Sequence, residues 1–176
     1  MPLSAVIVPF AKELHRLENP FPKSTLEAAT RFANSYINTF MVNAASTGPV
    51  PVPILPAALL IPANKEVLIK QLLLAYQAKA APAFCLALQN AIVTYLNVCT
   101  ATALFIPTPL LPATNFVFPV SLGTFVLPKL KTPTKTGYPA KLKLVQGIYQ
   151  WLQASQIIYP APPPPPPGSI GPQVWL

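Results

Sequence analysis

Proline cuts this chain into short pieces before any other residue type can act. Of its 176 residues 25 are proline, nearly three times the usual share of about 5%. Each one locks φ, removes a backbone donor and pushes the preceding residue away from helical geometry. A compact core must therefore be assembled from few segments.

Charge is the second constraint. Only 9% of the residues are charged while 52% are hydrophobic, against an ordinary charged share of about 25%. Disorder accompanies low hydrophobicity and high charge, so this composition argues against a wholly disordered chain. It also leaves a folded monomer short of ionised groups for its own exterior, which points to large permanent interfaces or to a membrane.

The acids are Glu13, Glu18, Glu27 and Glu66, and there is no Asp. Carboxylates supply general bases, triad orienters, hard-metal ligands and the acid pairs of glycosidases. Their absence from everything after Glu66 argues against an enzyme.

Along the chain, residues 1–23 carry Pro2, Pro9, Pro20 and Pro22 around a short amphipathic piece, Phe10 to Leu17, with room for a helical turn or two, and read as an N-terminal arm. Residues 24–158 read as a helical core domain. Ser24-Thr25-Leu26-Glu27 has the form of a capping box, and Leu26, Ala29, Ala33, Tyr36 and Phe40 recur at helical spacing, predicting a helix over about 25–45. Gly48-Pro49 ends it, and a proline-rich extended connection fills 46–63.

Asn64 and Glu66 mark a second start, with a helix to about 79. Pro82 opens a third, predicted over 82–105 and apolar on all faces. Such a helix is buried in an assembly or in lipid, and Phe84 to Ile106 is long enough to span a bilayer at the usual ~20 residues. Gln89, Asn90 and Asn97 inside that window count against the span.

A second extended connection, with short strands around Phe116-Val117-Phe118 and Thr124-Phe125-Val126-Leu127, is expected over 107–137. A last amphipathic helix follows over about 139–155. Residues 159–176 are a polyproline tail whose prolines 162–167 favour a stiff rod, with Trp175 and Leu176 at its end. The fold class expected is mainly α: three to four helices in a small bundle with long extended arms and connections and a few short strands.

A faint internal echo links Ala28-Ala29-Thr30-Arg31-Phe32 with Ala80-Ala81-Pro82-Ala83-Phe84. If it is real, a helix plus an extended connection is used more than once.

The remaining chemistry is sparse. The six glycines are scattered and make no phosphate-cradling loop, and one His with two Cys leaves a zinc site almost no ligands. Cys85 and Cys99 read as buried core thiols, His15 as a surface residue. No cofactor or metal is expected.

The basic residues Lys129, Lys131, Lys135, Lys141 and Lys143 form a cluster with no acid in sequence to balance it. It could neutralise nucleic-acid phosphates, or solvate a loop and helix face, or meet an acidic patch on a neighbour. With Pro162, Pro163, Pro164, Trp175 and Leu176, these lysines are the candidate partner contacts.

An alanine-rich helix such as Glu27 to Tyr36, a second such as Ala80 to Tyr95, proline-glycine connections and the proline-rich tail Pro162 to Gly168 together resemble small virion structural proteins of tailed phages and other large DNA viruses. The resemblance implies a capsid, neck or tail component located in the virion, with no catalytic residues. Its partners would be other structural proteins of the same assembly, or further copies of itself. Two other settings remain: an accessory subunit of a membrane complex using 84–106 as a span, and a nucleic-acid-binding structural protein using the lysines.

Overall fold

A computed structural model describes residues 3–47, 58–103, 111–112, 115–130, 137–158 and 174–175. Lys131, Lys135, Pro162, Pro163, Pro164 and Leu176 lie outside these residues. The described chain is mainly helical, with six α-helices: α1 Ile7–Arg16, α2 Thr25–Ser35, α3 Lys65–Gln77, α4 Ala81–Leu96, α5 Leu122–Leu130 and α6 Tyr138–Gln153. A short 3-10 turn, Leu3–Val6, precedes α1, and α2 runs on through a π turn, Tyr36–Phe40, and a 3-10 turn, Met41–Asn43.

The helices form a ring. Each packs on the next in sequence, and α6 closes back onto α1. Their starts are written locally. The Ser24 side chain accepts from Glu27 N at 3.1 Å, that of Asn64 from Glu66 N at 3.0 Å, and prolines sit in the first turns of α4 and α6. Gly137 precedes α6 with φ of 131°, a left-handed geometry that favours glycine.

Seven short strands occupy one end of the ring: β1 Ala45–Thr47, β2 Ala58–Ile61, β3 Thr100–Ala103, β4 Leu111–Pro112, β5 Asn115–Val117, β6 Gln156–Ile158 and β7 Val174–Trp175. All pairings are antiparallel, in the orders β4-β3-β2-β1-β7 and β5-β6. Since β6 also packs against β7 and β4 leads directly toward β5 in the chain, the strands follow one another round the ring as the helices do.

This arrangement is one unit used three times. In each unit a first helix runs away from the strands, a second returns, and a closing strand follows: α1-α2-β1, α3-α4-β3 and α5-α6-β6. The second helices end alike. Ala44, Cys99 and Ser155, each just ahead of its closing strand, are buried. Their amides donate to the carbonyls of Met41, Leu96 and Leu152 at 2.9, 3.0 and 2.9 Å.

One residue before each of those carbonyls stands a fully buried aromatic: Phe40, Tyr95 and Trp151. The Tyr95 hydroxyl donates to Ala63 O at 3.0 Å and the Trp151 indole to Val120 O at 2.9 Å. Ala63 and Val120 are themselves equivalent, each following the proline (Pro62, Pro119) that leads into its unit's first helix.

Strand register repeats as well. Leu60 pairs with Ala101 and Phe116 with Ile157, each opposite the middle of a closing strand. In the first unit the place opposite Ser46 is filled by Trp175, from the far end of the chain. The C-terminal strand thus completes the N-terminal unit.

Five expectations need correction. Residues 1–23 are not an arm: α1 buries Phe10, Ala11 and Leu14, and the Phe10 ring lies 5.9, 6.0 and 5.7 Å from Phe32, Tyr36 and Phe40. Proline at position 9 falls in the first turn of α1, where it breaks no hydrogen bond. The segment 82–105 is two elements, because the helix stops at Leu96 and Thr100–Ala103 is a strand. No helix among the described residues is long and apolar enough to cross a membrane.

Within 107–137 the strand expected at Thr124–Leu127 is part of α5. Leu122 and Val126, one turn apart, are buried, and the Gln89 side chain of α4 accepts from Leu122 N at 2.8 Å. Packing on a neighbouring helix overrides the β-favouring composition here. Finally, the Ala-Ala-x-x-Phe echo joins two second helices, yet at an offset of 52 residues where Phe40 and Tyr95 stand 55 apart.

Candidate functional site

The ring has two dissimilar poles, separated by the length of α3, about 20 Å at 1.5 Å per residue. In sequence, residues 41–64, 97–121 and 154–176 contain no Asp, Glu, Lys, Arg or His, and their described parts, 41–47, 58–64, 97–103, 111–112, 115–121, 154–158 and 174–175, make up the strand pole. Lys65 and Glu66, at the start of α3, directly follow the first of these segments in the chain. Val42, Val98, Val117 and Val120 are exposed there, at 50%, 48%, 42% and 36%.

The opposite pole is made by the hairpin tips and is ionic. Arg31 donates to Leu17 O and, at 2.6 Å, to Pro20 O, and pairs with Glu27, so one guanidinium ties the α1–α2 connection to α2. The Lys23 amide donates to the Glu27 carboxylate at 2.7 Å. That bond, with Arg31, holds the carboxyl below its ordinary range.

The described lysines of the cluster belong to this pole: Lys129 is in the last turn of α5, and Lys141 and Lys143 lie in the first turns of α6, while Lys131 and Lys135 are outside the described residues. Sequence spacing left the cluster without a counter-charge; the fold supplies one, because closure of α6 onto α1 brings Lys141 into an ion pair with Glu18. Trp175 is at the other pole, in β7, so the candidate contacts do not form one site.

Between the tips lies a cavity of about 400 Å³, lined by Leu14, Leu17, Phe32, Tyr76, Phe84 and Leu144 among others, with Phe21 at its edge 79% exposed. Burial, then the Glu18 charge, raises the Tyr76 pKa, keeping its hydroxyl protonated. An apolar hollow with Lys141–Glu18 and Arg31 at its lip can hold an apolar group but presents no nucleophile paired with a base.

Inside the ring, Tyr36 meets Tyr95 edge-on with ring centroids 6.4 Å apart. Its hydroxyl is buried without a hydrogen-bond partner among the described residues, as is that of Ser35. Cys85 and Cys99 are free and buried. Burial pushes the Cys99 thiol up to about 11, and the thiol reaches Tyr95 O at 3.4 Å. Among the described residues no three His, Cys, Asp or Glu side chains gather where a metal ion could be held.

Sequence reasoning missed the strand pole, although its signal was present. Pro51-Val52-Pro53-Ile54-Leu55-Pro56-Ala57 and Pro107-Thr108-Pro109-Leu110-Leu111-Pro112-Ala113 are two copies of one phrase, and the three charge-free segments recur with the same period. No family model, no curated protein and no solved structure matches this chain.

Proposed function

We propose that the protein is a non-enzymatic structural subunit of a large assembly, a virion component that binds neighbouring subunits through its strand pole. The observation that carries this reading is the segregation of charge. A pole whose described residues 41–47, 58–64, 97–103, 111–112, 115–121, 154–158 and 174–175 bear no ionised side chain, and which exposes four valines, can be buried against a neighbour with few charged groups to desolvate. The basic tips keep the opposite pole soluble.

Sedimentation velocity over a concentration series tests the binding half of this. The chain should associate as concentration rises, and the double variant Val98→Lys, Val117→Lys should remain monomeric under the same conditions. Association that survives both charges would remove the strand pole as the interface. The virion half is tested by density-gradient purification of particles from producing cells: the chain should travel with intact particles at a constant copy ratio, and its absence from them would reject that setting.

The collection of cations at the tips favours one second reading, contact with nucleic acid through Lys129, Lys143 and their neighbours. Filter binding whose affinity does not fall steeply between low and moderate salt would dismiss it. The Glu18–Lys141 pair already weakens it, because a phosphate would have to displace a carboxylate.

A further inference from the structure

The ring has one joint that differs from the others. In the second and third units the strand opposite the closing strand leads straight into the unit's own first helix, from Ile61 through Asn64 to α3 and from Val117 through Ser121 to α5. In the first unit that place is taken by β7, at register Ser46 with Trp175 and Thr47 with Val174. No peptide bond ties β7 to α1, so the seam is held by main-chain pairing and packing alone.

The tail that supplies β7 is poorly suited to returning to its own chain. β6 and β7 pack side by side, so the link between Ile158 and Val174 must begin and end in one place. It contains prolines 162–167, a run that favours a rod of about 19 Å at ~3.1 Å per residue. A stiff insert in a link whose ends must meet lowers the effective concentration of the attached strand below the millimolar values of short flexible linkers. A tail arriving from a neighbour bears no such constraint.

We propose that the edge of β1 covered here by the chain's own β7 is a strand-acceptor site whose occupant in the assembly is the 174–175 strand of a second copy of this chain. The ladder is main-chain and antiparallel, so own and foreign tails present identical groups to it. Residues 41–64 and 154–176 hold no charged side chain, so nothing at the seam repels a second copy. The proposal rests on the assembly reading above for the crowding that lets a neighbour compete, and it names that neighbour.

The test uses full chains carrying one new cysteine each. Thr47→Cys and Val174→Cys are mixed at high concentration in a thiol-disulfide exchange buffer; the native Cys85 and Cys99, each 1% exposed, do not compete. A disulfide-linked dimer containing one chain of each variant, with a yield that rises with total concentration, is the expected product. If the mixed single variants never cross-link while the double variant closes within one chain at every concentration, the seam is intramolecular and the proposal fails.

Should either variant lose its helical circular dichroism, the adjacent pair Ser46→Cys and Trp175→Cys is used in the same way. Introducing Val98→Lys and Val117→Lys into these chains separates the two readings. Cross-linking that persists after pole-driven association is lost supports exchange alone; association that persists without cross-linking overturns exchange and leaves the assembly reading standing.

Discussion

At the strand pole the three units share equivalent positions and one backbone hydrogen bond, whereas at the hairpin tips their connections differ. Phe40, Tyr95 and Trp151 occupy one position, and Ala44, Cys99 and Ser155 another, with the same backbone hydrogen bond in each unit. At the tips, α1 and α2 are joined by a connection clamped by Arg31, while α3 and α4 are separated only by Ala78, Lys79 and Ala80. Repetition survives where the three units must mate with one another. The tips, which meet nothing equivalent, have diverged and collected the charge. The same contrast says that substitutions at the aromatic position should be costly in every unit and substitutions at the tips should be cheap.

The largest test of that contrast is Trp151→Ala. The indole stacks on Phe118 with centroids 4.2 Å apart and donates to Val120 O, so its loss should cost about 3–5 kcal/mol in urea denaturation. A value below 1 kcal/mol would mean that the third unit does not need the position. Phe40→Ala should fall in the same range, showing the equivalence from the other end of the chain.

Gly147→Ala comes next. A Cβ there would stand 2.6 Å from Val126 Cγ2 and 3.3 Å from Phe125 O, so overpacking of α5 against α6 should lower stability by about 1–3 kcal/mol. The equivalent residues are Tyr36 and Ala91, which shows how closely α5 is drawn in where the third unit has no side chain. An unchanged melting temperature would contradict that spacing.

At the tips, Arg31→Ala should cost about 1.5 kcal/mol, the low end for charged hydrogen bonds at a partly exposed site, and should make the α1–α2 connection more susceptible to protease without altering helix content. A loss as large as that of Trp151→Ala would erase the distinction between the poles.

A smaller pair sharpens the comparison inside the ring. Tyr95→Phe removes a donor from Ala63 O and should cost about 1 kcal/mol, while Tyr36→Phe removes a hydroxyl that has no partner and should be neutral or stabilising. Equal losses in the two variants would show that Tyr36 is hydrogen-bonded after all.

Because the folded Cys99 thiol titrates at about 11 against an ordinary value near 8.5, the fold favours the protonated form. The stability this contributes is complete below the ordinary thiol range and is lost as pH rises toward about 11. Cys99→Ala should flatten that part of the alkaline stability profile, and an unchanged profile would show that the thiol does not titrate there.

Much of the helical ring was readable from local signals. Ser24, Asn64, Pro82 and Pro139 each announce a helix start through chemistry confined to one turn, and the structure begins α2, α3, α4 and α6 within a residue or two of them. Two helices were misread for different reasons. The α1 segment was expected to be a helical turn or two within an arm, because its prolines outweighed the few apolar residues that it buries. In α5, Phe125 and Val126 favour a strand, and only the neighbours α4 and α6 make the helix the better arrangement.

Ala101, Leu60 and Ser46 bear no local mark of strand pairing. The opposing strand lies across a whole hairpin or, for Ser46, at the other end of the chain. The Glu18–Lys141 pair was hidden for the same reason, since nothing short of ring closure brings these residues together.

By itself the sequence determined that this protein would be mainly helical, where most helices begin, and that the segments 41–64, 97–121 and 154–176 would carry no charged side chain, because propensity, capping and composition act over a few residues. Three-dimensional packing decided that the helices form a ring of three like units, that short strands gather at one pole, and that the described C-terminal strand completes the first unit. Those outcomes depend on hydrogen bonds and burial between residues far apart in the chain, and such contacts exist only once the ring has closed.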